Sequence, residues 1–271
     1  MIIDARSAAT DFGMITDTVI VGAGPAGMAI AARLGCDAAR ILVVESGGLT
    51  LRPDLDLARG SVDRPYYDLP ETRLRGLGGS SGCWGGWCER LRPVDLASRP
   101  WVPHSGWCLD YAELARYYPD AEEFCGSPVG FTAEQRSWQP GGQKAPIQGV
   151  FDQTPYTVVG RRNLGTDHRA VFNWPDVDLL IHATVTRIVT GDDGRKVDHL
   201  VVRAPGDVQF PVTAHTFVLA AGGVENARLL LLSRTGGWRA GIGNDNGLVG
   251  RCFMEHPHVD ALRIRNPDGV D

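Results

Sequence analysis

Regular patterning begins at residue 17, where DTVIVG sets β-branched residues side by side and then meets glycine. A short apolar run bounded by a turn signal reads as a strand buried on both faces. Residues 25–34 (PAGMAIAARL) follow with helix-favouring composition and a proline near the start, where its missing N–H has no helical partner to lose. Residues 41–45 form a second apolar run. Strand, glycine turn, helix and strand make a βαβ unit, which implies a parallel sheet with a right-handed crossover.

From roughly 47 to 100 this patterning fades into glycine, proline and tryptophan, and so long a stretch points to a functional loop. Residues 111–124 have helical periodicity that Pro119 breaks or kinks. A polar stretch rich in glycine and proline covers about 126–150. Residues 177–190 and 196–203 read as strands joined by a hairpin turn at 191–194. Residues 215–221 read as another strand, Gly222 and Gly223 open a helix over 224–233, and 259–265 begin a further strand. The first sixteen residues read as a loose arm. The expected class is α/β.

Length permits one large domain or two smaller ones, because 271 residues can bury a sizeable core. A formal charge of -5 offers no basic footprint for nucleic acid. The chain lacks a run of eighteen apolar residues and a basic leader followed by an apolar core, so neither a membrane nor an export route is expected and the cytoplasm is the expected compartment. The cysteines at 36, 83, 88, 108, 125 and 252 form no Cys-x-x-Cys pair, so reduced thiols and no metal site are expected.

Gly22-Ala-Gly24-Pro25-Ala26-Gly27 fits the dinucleotide fingerprint, in which bare backbone lets N–H groups approach a pyrophosphate at a helix N-terminus. Alone the spacing is weak, since a chain with 34 glycines produces it by chance on the order of once. Its place between a strand and a helix strengthens it. So does Glu45, 18 residues beyond Gly27 at a strand end, where a carboxylate can accept both ribose hydroxyl protons and would repel the extra phosphate of NADP. The fingerprint does not separate FAD from NAD.

A second glycine-rich stretch, RGLGGSSGCWGGWCERL at 75–91, holds six glycines, two cysteines and two tryptophans. Together with DTVIVGAGPAGMAIAARL, VVESGG, HATVTRI, FVLAAGGVENARLLLLS and LVGRCFMEHPHV, in that order from 17 to about 259, it resembles the glucose-methanol-choline flavoprotein oxidoreductases. The resemblance implies a Rossmann-like FAD-binding domain, a parallel sheet with helices and a β-hairpin or meander, followed by the start of an incomplete α+β substrate-binding domain. It divides the chain into 1–100 and 171–250 for FAD, 101–170 as a helical and loop insertion near the active site, and 251–271 as the start of a truncated substrate domain.

Carried over to this chain, Gly22, Gly24 and Gly27 hold the FAD pyrophosphate, with Pro25 and Ala26 in the same turn and Glu45 and Ser46 at the adenosine ribose. Val185 in HATV meets the adenine through its backbone, and Ala221-Gly222-Gly223 is a second turn closing over the cofactor. Arg75, Gly78, Gly79, Ser80, Gly85 and Gly86 border the isoalloxazine ring, a planar group that needs backbone at van der Waals distance. Trp84 and Trp87 have two readings beside a plain core role, packing under the ring or shaping the substrate side. Relatives that attach FAD covalently use a histidine in this part of the loop, and aligning the glycine pairs puts Cys83 there. A cysteinyl attachment and a small non-covalent filler are both open at Cys83.

The family oxidises an alcohol by hydride transfer to flavin N5 while a histidine, paired with a second histidine or asparagine, takes the hydroxyl proton. That pair lies well downstream of FMEHPHV, so no catalytic residue is assigned in this chain. His256 and His258 match a segment entering the substrate domain and take a structural role, while His104, His168, His182, His199 and His215 lack a partner at suggestive spacing. The implied substrate is a small-molecule alcohol of the sugar, glycoside or polyol kind, with the electron acceptor unassigned. Truncation of a longer enzyme is the simpler account. The alternative is a non-catalytic flavin-binding module, or a subunit completed by a partner chain that supplies the C-terminal half.

Overall fold

The computed structural model describes residues 1–7, 14–37, 39–53, 69–127 and 157–254. Strand β1 (Ile2–Asp4) precedes β2 (Met14–Val21), helix α1 (Pro25–Leu34) and β3 (Ile41–Val44). The long glycine-rich stretch carries only short elements: β4 (Arg52–Pro53), α2 (Leu69–Thr72), β5 (Leu74–Arg75), β6 (Trp87–Cys88) and α3 (Pro93–Leu96). Helices α4 (Tyr111–Ala115) and α5 (Tyr118–Cys125) come next, then β7 (Thr157–Val158) and α6 (Leu164–Asp167). The chain then runs through β8 (Val177–Ile181), β9 (Thr184–Thr190), β10 (Val197–Arg203), β11 (Gln209–Leu219) and α7 (Gly223–Leu232).

The main sheet has the order β1-β8-β3-β2-β11-β10-β9. Its first five strands are mutually parallel, and β11, β10 and β9 form an antiparallel meander. This mostly parallel sheet with helices is an α/β fold. Alternation within the apolar strands splits the core in two. Val19 and Val21 of β2, Leu42 and Val44 of β3 and Leu180 of β8 pack on one face with the meander and Leu229 of α7. Ile20, Ile41, Val43, Leu179 and Ile181 pack on the other with Met28 and Ala31 of α1. Both faces are covered, which is why these strands carry no polar alternation.

The structure departs from the sequence reading in three places. The first residues are not a loose arm: Ile2–Asp4 pairs in parallel with β8, Ile2 facing one core and Ile3 the other, a signal too short for periodicity to show. Residues 177–190 are two strands, because His182 takes a left-handed backbone (φ 56°) and gives its N–H to Gly47 O at 2.8 Å. The break lets the chain leave the parallel part of the sheet and start the meander at its far end. The strand expected at 215–221 begins six residues earlier, at Gln209. Its residues 209–212 pair with β10 and 212–219 pair with β2, so from 213 to 219 its second edge has no strand partner among the described residues.

Other expectations meet their elements. Pro119 sits in the first turn of α5 and separates it from α4, whose start is capped by Asp110 accepting from Ala112 N. The turn at 191–194 joins β9 to β10, with Gly194 at φ 67°. The strand expected at 259–265 lies outside the described residues. Among the described residues no helix is long and apolar enough to cross a membrane.

Ser233, fully buried after α7, locks that helix to the meander: its hydroxyl donates to Leu229 O at 2.7 Å and accepts from Ile188 N at 2.9 Å. Ser233→Ala leaves a buried strand N–H without an acceptor and is expected to cost about 1–3 kcal/mol. Urea unfolding checks this: the midpoint should fall with an unchanged slope.

Candidate functional site

The site grows from the C-terminal end of β2. Gly22 turns the chain at φ 102° while its N–H bonds Val44 O at 2.8 Å. At Gly27 a Cβ would overlap the Gly22 carbonyl, so α1 can start directly on this turn only because that residue is glycine. Gly24 is the N-cap of α1 and supplies no side-chain cap, and Pro25 opens the helix. The first-turn N–H groups are therefore free of side-chain capping at the positive end of the helix, a setting suited to an anion.

Glu45 closes β3 and is 6% exposed. Its Oε2 accepts from Ala23 N at 2.9 Å, and its Oε1 accepts from Gly47 N at 2.7 Å and Gly76 N at 3.0 Å. The Ser46 hydroxyl lies 3.4 Å from Oε1. The Glu45 backbone joins the same knot, donating to Leu180 O and accepting from Ala183 N.

Residues 75–84 fold over the first turn. Gly78 N donates to Ala23 O at 2.8 Å, and Leu77 N donates to Gly48 O at 3.0 Å. Gly79 (φ 48°) passes so close that a Cβ on it would stand 3.1 Å from Gly24 Cα. From behind, the buried Ser81 hydroxyl donates to Gly78 O at 2.7 Å and accepts from Leu164 N at 3.1 Å. Asn163 caps α6 and lies against Gly78, where a Cβ would overlap its side-chain oxygen. At the far side Asn226 accepts from Ala221 N at 3.0 Å and donates to Leu219 O at 3.1 Å, which fixes the turn between β11 and α7.

These turns enclose a cavity of about 500 Å³. Of the residues singled out from the sequence, Gly22, Gly24, Pro25, Ala26, Glu45, Ser46, Arg75, Gly79, Ser80, Trp84, Val185, Ala221, Gly222 and Gly223 line it. Gly27, Gly78, Cys83, Gly85, Gly86 and Trp87 stand outside the lining. Gly27 and Gly78 pack behind the wall, and a Cβ on Gly86 would overlap the Gly160 carbonyl. Trp87 is 69% exposed, in the ribbon of β6 and β7.

The lining also holds Arg73, Asn226 and the ion pair of Arg228 with Glu225, whose nitrogen and oxygen approach to 2.6 Å. Sequence reasoning missed these. Their one visible signal is position, since Arg73 precedes the glycine loop and Asn226 follows the Gly-Gly turn.

Among the described residues no histidine lines the cavity. His168 stacks on Phe124 at 4.0 Å, with Nε2 2.7 Å from Phe124 O, and His182 packs against Gly48. His215 lies 3.6 Å from Asp17, His199 lies beside Asp198, and His104 holds a left-handed loop position at φ 57°. His256 and His258 lie outside the described residues.

Relatives in sequence and structure agree with one another. The chain is 28% identical over 296 residues to paromamine 6'-oxidase of Streptomyces fradiae, covering 89% of this chain and 54% of that one. It is 23% identical over 306 residues to 2-methyl-1,2-propanediol dehydrogenase of Mycolicibacterium austroafricanum, covering 89% and 55%. Its homologues are glucose-methanol-choline oxidoreductases. Among solved structures, a formate oxidase of Aspergillus oryzae superposes with a TM-score of 0.52 at 22% identity, over 84% of this chain and 48% of that one, a likeness of fold. No family model matches the chain. The chain spans about half the length of the glucose-methanol-choline relatives it matches.

Cys83 turns its thiol to Ser80 O at 3.1 Å, and Cys83 and Cys88 are both free. Burial pushes the Cys83 thiol above its ordinary value of 9.0, an effect that a backbone hydrogen bond and the Arg73 charge only partly offset. Because the thiolate is the nucleophile, Cys83 should be alkylated by iodoacetamide at neutral pH more slowly than an unstructured cysteine peptide, and the gap should close as pH rises past that value. Peptide mass spectrometry across a pH series measures this.

Proposed function

We propose that the cavity holds FAD and that the chain is the cofactor-binding part of an FAD-dependent oxidoreductase acting on CH–OH groups. The observation that carries this is the approach of Gly79 to Gly24, which brings the second glycine loop against the dinucleotide turn in one cavity. A nicotinamide site has no need of that second loop. On this reading the parallel strands and α1 form a Rossmann-like domain of residues 1–100 and 171–250, with 101–170 as an insertion and 251–271 entering a substrate domain.

The residues present fit the group. The uncapped start of α1 at Gly24 and Pro25 takes the pyrophosphate, and Glu45 with Ser46 takes the adenosine ribose. Val185 borders the adenine, Gly79, Ser80 and Trp84 border the ring system, and Ala221 and Gly222 close the far side. When bound, FAD supplies a two-electron acceptor for the hydride of an alcohol carbon. The protein's part is to fix the ring and exclude water. With no histidine in the described lining, we assign removal of the hydroxyl proton to residues outside it. The diol named in one relative favours a polyol or sugar-like alcohol. That same lack supports a second reading, a flavin-binding subunit whose base comes from a partner chain. The coding DNA separates the two: a reading frame that continues beyond residue 271 into a histidine followed by histidine or asparagine supports the first, and a stop followed by a neighbouring gene for the remainder supports the second.

Purified with excess FAD, the protein should show a flavin spectrum, and acid precipitation should leave the colour in the supernatant. A yellow pellet means covalent attachment, and a colourless protein removes the reading. At Gly24 a Cβ meets no protein atom closer than 4.0 Å, so Gly24→Val should fold normally while its side chain fills the pyrophosphate position. The expected product is a folded, colourless protein, checked by circular dichroism beside the absorbance spectrum.

A further inference from the structure

We infer that Glu45 is a positioning residue: its carboxylate ties three glycine turns into one wall and leaves a bound ligand a single acceptor position instead of two. The three donors come from separate segments, Ala23 after β2, Gly47 after β3 and Gly76 in the second glycine loop. Ala23 is fully buried, so its amide has no water to turn to once the carboxylate is lost. The Ala23 carbonyl in turn receives Gly78 N, so the residue that Glu45 holds on one side carries the second loop on the other. A buried carboxylate is tolerated only with such partners, and charge-assisted N–H bonds are the strong ones.

A carboxylate offers about four acceptor positions. Among the described residues Oε1 meets Gly47, Gly76 and the Ser46 hydroxyl, and Oε2 meets Ala23 alone. That leaves one position on Oε2 for a ligand in the cavity that Glu45 lines. Its use by one ribose hydroxyl rests on the flavin reading. The tie between the loops does not.

Glu45→Gln separates tying from simple ligand contact. In its better orientation the amide oxygen keeps Gly47 and Gly76, and the NH2 group confronts Ala23 N–H, donor against donor. Hydrogen–deuterium exchange on the cofactor-free protein, read residue by residue by NMR, should show Ala23 exchanging at least about tenfold faster than in the wild type. Gly47 and Gly76 should change less, and the strand amides of β2 and β3 should keep their protection. In Glu45→Ala all three loop amides should lose protection.

Wild-type protection at Ala23 in Glu45→Gln overturns the inference. So does an even loss of protection spread over β2 and β3, which would make Glu45 a residue of general stability. If Glu45→Ala does not fold, Glu45→Gln decides alone. A wild type that never takes up FAD removes the flavin reading and leaves this exchange result standing.

Discussion

Three turns that are distant in sequence meet because one buried carboxylate accepts their N–H groups. The turn after β2 and the end of β3 expose backbone donors at the C-terminal ends of parallel strands, the second glycine loop brings a third just after the short antiparallel strand β5, and each must find a partner where the chain leaves its strand. Glu45 supplies them. Glycine makes the convergence sterically possible: a Cβ at Gly47 would overlap Gly76 N, and one at Gly27 would overlap the Gly22 carbonyl. Charge and bare backbone thus act together, and the cavity is the space that remains when the turns have closed.

The sheet explains why the convergence happens at one edge. Strands β2, β3 and β8 are buried on both faces and run the same way, so their exits lie side by side. The left-handed turn at His182 folds back over Gly47 and Gly48 and sends the chain through Ala183 to Val185, adding a further wall. Asn226 does the corresponding work at the exit of β11. The opposite side of the second loop is held by Ser81 and Asn163.

Much of this was legible in the sequence because it depends on short-range pattern. The apolar runs at 17–22 and 41–45, the glycine spacing at 22–27 and the carboxylate at Glu45 all lie within thirty residues of one another, and the structure places them in the expected βαβ unit. What escaped depends on distant partners. The support of Gly78 comes from residues 163 and 164, and no local signal in the glycine loop points there. The three residues of β1 pair with β8 more than 170 positions later. The break at 182 has no glycine or proline to announce it, because the left-handed residue is a histidine held by Gly47. Cys83 stood out by its place among the glycines, yet its thiol turns to Ser80 O and does not line the cavity.

The most direct test of this account is a crystal structure of the chain grown with FAD. The account predicts one extended cofactor: pyrophosphate over Gly22 to Pro25, one ribose hydroxyl on Glu45 Oε2, adenine beside Val185 and ring system along Gly79, Ser80 and Trp84, with Ala23, Gly47 and Gly76 still bonded to the carboxylate. Density for FAD in another place, or a Glu45 side chain swung away from the three amides to take both hydroxyls, would contradict it.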